Sequence, residues 1–204
     1  MGSMKNRIAL GLLVLGVSWP SILSTGPGYG LPGDSVNEVK TWMQGHPTLR
    51  ANSREGLRVH RADIPSRRFT FQASVFPIGG FQRPENNAVW SSANRRRDLS
   101  TVRREEFILV DYDEPVTIAR LEESLRTLYG PDTYADYRRA PSVYNYTSET
   151  NTIQGEVRLG NNYAYWVEVT PDIHGVITTG RLNVILSEDV DRLQNYLQRQ
   201  LSVQ

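Results

Sequence analysis

The residues best suited to chemistry are the acids at 111–114, which follow an apolar run at 107–110. Carboxylates grouped in this way can bind a hard cation such as Ca²⁺ or Mg²⁺, so Asp111 and Asp113 are candidate metal ligands. Acids are also favoured where a strand ends and a helix begins, because the first turn of a helix carries partial positive charge. The segment has no glycine-bearing metal loop, which favours a solvated strand end over a metal site.

The histidines form no local metal or catalytic motif. None of His46, His60 and His174 lies within four residues of another, so no pair has the spacing of zinc ligands. The chain has no cysteine, which excludes disulfides, thiolate ligands and a cysteine nucleophile. We therefore predict no cofactor and no catalytic residue. The alternative is an extracytoplasmic hydrolase or metal-dependent enzyme that uses Asp111, Asp113 and a histidine brought close by folding.

Arginine is concentrated in the first half of the chain. Residues 47–104 contain 12 arginines and 4 acids, whereas residues 105–204 contain 8 arginines and 16 acids. Guanidinium groups form bidentate contacts with carboxylates and phosphates. We therefore predict contacts to an acidic partner protein or an anionic membrane surface through Arg95, Arg96, Arg97, Arg103 and Arg104. The alternative is that these arginines pair internally with the acidic second half.

Tyrosines are dense in the second half, where seven of the ten lie between residues 129 and 165. Tyrosine combines flat apolar area with a hydroxyl group, which suits a binding surface. Strands also favour aromatic residues without any ligand, and this remains the competing interpretation. The candidates for a ligand surface are Tyr144, Tyr146, Tyr163 and Tyr165.

The elements that position these residues are clearest at 153–186. Apolar and polar residues alternate in three consecutive segments there, which predicts three strands with one apolar and one wet face. Short turns at 160–162 and 171–175 predict an antiparallel meander. Further strands are predicted at 56–62, 66–76, 107–112 and 142–146, and the apolar run at 107–112 predicts a central strand.

Three helices are predicted from their end signals. A capping box at Ser35 begins the first helix, and Thr117 begins a second that runs to Tyr129 and is ended by Gly130 and Pro131, with one or two further turns at 132–139. Ser187 is predicted to cap the last helix, whose buried stripe includes Leu193 and Leu197. The order of elements predicts a single α+β domain over 31–204, with a mainly antiparallel sheet and an arginine-rich loop at about 78–104.

The first 30 residues have the layout of an expression scar followed by a signal peptide. A short basic segment precedes an apolar run at 8–17, which is shorter than a membrane-spanning helix, and small residues follow. The competing interpretation is a retained signal anchor. Either way, the folded part is expected outside the cytoplasm.

Four short segments resemble an uncharacterised family of exported cyanobacterial proteins. They are HPTLR at 46–50, RFTFQA at 68–73, LEESLR at 121–126 and YWVE at 165–168. The resemblance implies a periplasmic or thylakoid-lumen setting and carries no catalytic residues with it. We therefore predict a non-catalytic exported accessory or binding protein that contacts an acidic partner. Nucleic acid is not expected as a partner, because the chain from residue 31 onward is close to neutral.

Overall fold

A computed structural model of the chain describes residues 30–50, 56–79, 100–148 and 153–201. Within these ranges the centre of the fold is a seven-stranded antiparallel sheet. Its strands are β1 Arg58–Ile64, β2 Arg67–Ser74, β3 Arg104–Asp111, β4 Ser142–Thr147, β5 Gln154–Leu159, β6 Tyr163–Pro171 and β7 Ile177–Leu186. Helices α1 Val36–Gly45, α2 Ile118–Arg139 and α3 Val190–Leu201 complete the predicted α+β fold.

The sheet consists of two antiparallel meanders that meet at its middle. The strand order is β1-β2-β3-β7-β6-β5-β4, so β3 pairs with β7 across the join. The predicted meander of β5, β6 and β7 is confirmed, and β4 extends it by a fourth strand at the sheet edge. Helix α2 leads the chain from β3, inside the sheet, to β4.

Local sequence signals define the first two helices as predicted. At the start of α1, the Ser35 hydroxyl accepts a hydrogen bond from the Glu38 N–H at 3.3 Å, and the Glu38 carboxylate accepts one from the Ser35 N–H at 2.8 Å. This is the reciprocal capping box. Helix α2 bends at Gly130, where φ is 79°, a left-handed value that glycine adopts without strain. Pro131 then begins the second part of the helix.

Both faces of the sheet carry packed side chains, which corrects the prediction of one apolar and one wet face. Helices α1 and α2 cover one face, which we call the helix side. On the other face, the α3 side, Leu193 and Leu197 pack against Val157 and Trp166. Val157 of β5 stands directly opposite Trp166 of β6. The apolar residues of β5 therefore face away from the tyrosine row of β6, because alternate residues of a strand face opposite sides.

The start of α3 also differs from the prediction. Ser187 does not cap the α-helix; it begins a 3₁₀ turn, Ser187–Asp189, and the α-helix begins at Val190. The turn buries Asp189 beside Arg103 before the helix starts. The predicted burial of Leu193 and Leu197 is confirmed.

Strand β3 lies inside the sheet, as its apolar run predicts, but its two faces differ. Phe107 and Leu109 are buried on the helix side, whereas Ile108 and Val110 are only half-buried on the α3 side. Helix α3 packs over the β5–β7 half of that side. Among the described residues, no helix covers the β1–β3 half of the α3 side, which presents a surface of strand residues.

No helix in the described part of the chain is both long and apolar enough to cross a lipid bilayer. The predicted leader lies outside the described residues, apart from Gly30. Most of the predicted arginine-rich loop, at 80–99, lies outside them as well.

Candidate functional site

The carboxylate of Asp111 is engaged by the protein itself. Its Oδ1 accepts hydrogen bonds from the N–H groups of Asp113 and Glu114, each at 3.0 Å, and its Oδ2 pairs with Arg120 at 2.7 Å. The hydrogen bond from Arg120 holds the pKa of Asp111 below its usual range. Asp111 is 2% exposed, so these contacts tie the end of β3 to the start of α2. Among the residues that the structure describes, no group of three or more acids and histidines could hold a metal ion.

The histidines lie apart from these acids. His60 stands opposite Thr70 of β2 and contacts its hydroxyl, whereas Asp111 stands opposite Arg67 three positions away along β2. His174 is exposed in the turn between β6 and β7. Neither histidine forms a hydrogen bond or ion pair with Asp111 or Asp113. The enzyme alternative therefore has no assembled site within the described ranges.

Two of the four candidate tyrosines belong to the helix side of the sheet. Tyr165 is 0% exposed, and its hydroxyl donates a hydrogen bond to Asp136 at 2.8 Å. Burial raises the pKa of Tyr165 above its usual range. Tyr163 lies beside it, with the ring centres 6.4 Å apart. These two rings are part of the core around α2.

The other two tyrosines, Tyr144 and Tyr146, lie on the α3 side. The Tyr146 hydroxyl donates a hydrogen bond to Glu168 and accepts one from the indole N–H of Trp166 at 2.9 Å. Tyr144 packs against Tyr146 with ring centres 5.9 Å apart. The four candidate tyrosines are therefore divided between two faces and do not form one ligand surface.

The two described residues of the arginine-rich segment differ: Arg103 is ion-paired within the protein, and Arg104 is not. Arg103 pairs with Asp189 at 2.8 Å and Glu188 at 2.5 Å. These hydrogen bonds raise the pKa of the Arg103 guanidinium. This is the internal pairing that the sequence analysis named as the alternative. Arg95, Arg96 and Arg97 lie outside the described residues.

Arg104, the neighbouring residue, has no such pairing. It is half-buried in β3, and within the described ranges its side chain forms no ion pair. Its buried Nε lacks a hydrogen bond, as do those of Arg67, Arg158 and Arg181, but those three arginines are ion-paired. Burial lowers the pKa of its guanidinium; nearby Arg181 adds to this effect, and Glu106 opposes it. Every other half-buried arginine in the described ranges contacts a carboxylate or a main-chain carbonyl: Arg61, Arg67, Arg103, Arg120, Arg158 and Arg181.

Strand register places Arg104 on a basic part of the α3 side that we call the open face. Residues directly opposite one another in neighbouring strands share a face, and so do alternate residues of one strand. By this rule four arginines and one glutamate of β1, β2, β3 and β7 face the same way. The open face is defined by Arg58, His60, Arg68, Thr70, Gln72, Arg104, Glu106 and Arg181.

A cleft of about 510 Å³ lies where the open face meets α3, and we call it the Arg104 cleft. The polar and aromatic residues that line it are Gln72, Arg104, Glu106, Trp166, Arg181 and Tyr196. The short segment 76–79 forms one wall and Tyr196 of α3 contributes to another. Its volume lies in the range typical of small-ligand sites.

Within the cleft, Arg181 is held by several neighbours. Its Nε lies 3.2 Å from Glu106 and its Nη1 lies 3.5 Å from Glu168. Its guanidinium also lies 5.4 Å from the ring centre of Trp166, within cation–π distance. Arg181 and Glu106 therefore form a fixed wall, and Arg104 is left with free hydrogen-bond donors. A cleft of this kind can bind an anion.

Protein-family models, curated proteins and solved structures show no match to this chain. The open face and the Arg104 cleft must therefore be interpreted from their own chemistry. The resemblance to exported cyanobacterial proteins stays a prediction.

Sequence reasoning identified Arg104 but missed the residues that surround it. Arg58 and Arg68 lie in predicted strands. The alternation there could have placed them on the face that points away from the buried Phe69 and Phe71. Arg181 could not have been found in this way. It joins the open face only because β7 pairs with β3, a contact between segments about 70 residues apart.

Proposed function

We propose that this chain is a non-catalytic, exported binding protein whose open face contacts an acidic surface of a partner protein. The observation that carries the proposal is Arg104, a half-buried arginine without a partner in a cleft at the end of a basic sheet face. A guanidinium group in a partly buried position gains more from an added carboxylate than one in free solvent.

The geometry of the open face favours a protein partner. Arg58 and Arg68 are exposed on neighbouring strands, and Arg104 lies deeper at the α3 end. The charges therefore lie along an extended sheet face that spans the four neighbouring strands β1, β2, β3 and β7. An acidic protein surface offers carboxylates at fixed positions over such an area, and matched charges of this kind direct association and specificity.

The direct test uses a fluorescein-labelled polyglutamate peptide and measures its anisotropy on titration with the protein. The double change Arg58→Gln with Arg68→Gln should weaken binding by about fivefold, since each exposed charge contact contributes up to about 1 kcal/mol. The matched control is Arg126→Gln, which removes an exposed arginine from α2 on the helix side. Its binding should equal that of the wild type.

Salt and membrane arms complete the test. Binding should fall steeply with added salt, because exposed charges are screened within about 10 Å at 0.1 M. Changing Arg95, Arg96 and Arg97 together to Ser should weaken binding while leaving thermal stability nearly unchanged. If the protein co-sediments with phosphatidylserine vesicles but does not bind polyglutamate, its partner is an anionic membrane and not an acidic protein. Equal binding by the arginine variants and the wild type would contradict the proposal.

A further inference from the structure

We propose that the Arg104 cleft is a pocket for a single carboxylate group, which fits the side chain of a glutamate presented by the partner. This inference rests on the proposed function and deepens it, because it assigns one ligand chemistry to one place on the open face. It is argued from the pairing pattern of the charged residues, the cleft walls and the balance of charge.

The pairing pattern leaves Arg104 free although an acid lies close by. Glu106 is two residues away on the same face of β3, but its carboxylate pairs with Arg181. Arg181 is held in turn by Glu168 and by the ring of Trp166. Because this network occupies Glu106, the donors of Arg104 remain available to a ligand.

The walls of the cleft suit a short apolar stem that ends in a polar group. Ile78 and Tyr196 line the cleft together with Trp166, so methylene groups can be buried there. The side-chain amide of Gln72 lies on the same face and offers a neutral hydrogen-bond donor. A glutamate side chain has this form: two methylene groups that carry a carboxylate.

The balance of charge favours a carboxylate over a phosphate. The lining contains two arginines and one glutamate, so it offers one uncompensated positive charge. Glu168 lies just behind Arg181 and adds further negative potential. These acids repel a dianionic phosphate more strongly than a monoanionic carboxylate, which matches the single unpaired guanidinium of Arg104.

The test uses blocked glutamate, N-acetyl-glutamate amide, with blocked glutamine as the matched probe. The reporter is the indole N–H signal of Trp166 in ¹H–¹⁵N spectra, assigned with Trp166→Phe. Blocked glutamate should shift this signal in a saturable manner and blocked glutamine should not. Arg104→Gln should weaken the binding about tenfold or more, because it removes the charged donor pair. Arg58→Gln should leave it unchanged.

A second variant keeps the proposal falsifiable if Arg104→Gln alters the fold. Glu106→Gln removes the acid nearest the pocket and should tighten the binding of blocked glutamate. The proposal is overturned if the glutamine probe or inorganic phosphate shifts the Trp166 signal as much as glutamate does. It is also overturned if neither variant changes the titration.

The two proposals fail in different ways. If polyglutamate binds through Arg58 and Arg68 while blocked glutamate leaves Trp166 unchanged, the pocket is wrong and the acidic-partner function stands. If blocked glutamate binds through Arg104 while the affinity for polyglutamate is unchanged by the Arg58 and Arg68 substitutions, the pocket stands and the protein-surface function is wrong.

Discussion

Glu105 places a carboxyl group inside the apolar core on the helix side of the sheet. It is 0% exposed, and its one polar interaction partner in the described core is the buried hydroxyl of Tyr129, which only partly opposes the effect of burial on its pKa. Burial raises the pKa of Glu105 well above its usual range. The folded protein therefore keeps a proton on Glu105 at pH values at which the unfolded chain has lost it.

This predicts that Glu105→Gln is more stable than the wild type at neutral and alkaline pH. Because the folded-state pKa is raised, the wild type loses free energy of unfolding as pH rises from about 4.3 towards that pKa, at up to about 1.4 kcal/mol per pH unit. The variant has no such proton to lose. Urea denaturation of both proteins from acidic to alkaline pH measures the two slopes. Glu114→Gln, at an exposed glutamate, is the control and should keep the wild-type slope.

Equal pH slopes for the wild type and Glu105→Gln would show that the buried carboxyl group does not titrate between the folded and unfolded states. The prediction that Glu105 is buried in its protonated form would then be wrong.

At the scale of elements, the Arg103 side chain links the start of β3 to the turn before α3. Arg103 precedes β3 and pairs with Asp189, a carboxylate that is 2% exposed. Glu188 adds an exposed contact on the same guanidinium. These bonds hold α3 at the end of the open face, and α3 forms part of the Arg104 cleft through Tyr196.

We predict that Arg103→Ala lowers the free energy of unfolding by about 2 kcal/mol, because a buried carboxylate loses its charged partner. Adding Asp189→Asn should recover part of the loss, since the buried charge is then removed as well. Arg126→Ala, which breaks an exposed pair with Glu123, should change stability little. Urea denaturation measures all three. An Arg103→Ala protein of unchanged stability that no longer binds polyglutamate would make Arg103 a partner contact instead.

At the scale of the whole molecule, Gly30 is packed against the folded domain. This residue has a φ of 57°, and a Cβ atom there would collide with the ring of Trp42. Leu31 packs against the core on the helix side. The domain therefore includes the last residues of the small-residue segment that follows the predicted signal peptide.

We predict that a bacterial host able to export the full chain produces a mature protein that begins between Thr25 and Leu31. Because Gly30 packs against Trp42, a mature protein that begins at or before Gly30 keeps this contact. Intact-mass measurement of the exported protein identifies its first residue. A protein that retains Met4 would instead support a signal anchor.

Much of this fold could be predicted from the sequence, because its signals are local. The capping box at Ser35, the Gly130–Pro131 break and the three strands of the 153–186 meander depend on residues a few positions apart, and all three appear as predicted. The predicted wet face of the meander was wrong, because α3 covers it. The position of Ser187 is the local exception. There the contact of Asp189 with Arg103, more than eighty residues away in the chain, accompanies a 3₁₀ turn before the helix.

The candidate site depended on tertiary structure for a physical reason. A strand pattern shows which residues share a face, but it contains no information about which strands are neighbours or which face a helix covers. The pairing of β3 with β7 brings Arg181 beside Glu106, and that pair is what leaves Arg104 free. The sequence by itself determined the elements and the excess of arginine before residue 105. The order of strands decided which of the described arginines pair with acids inside the molecule and which lie on the open face.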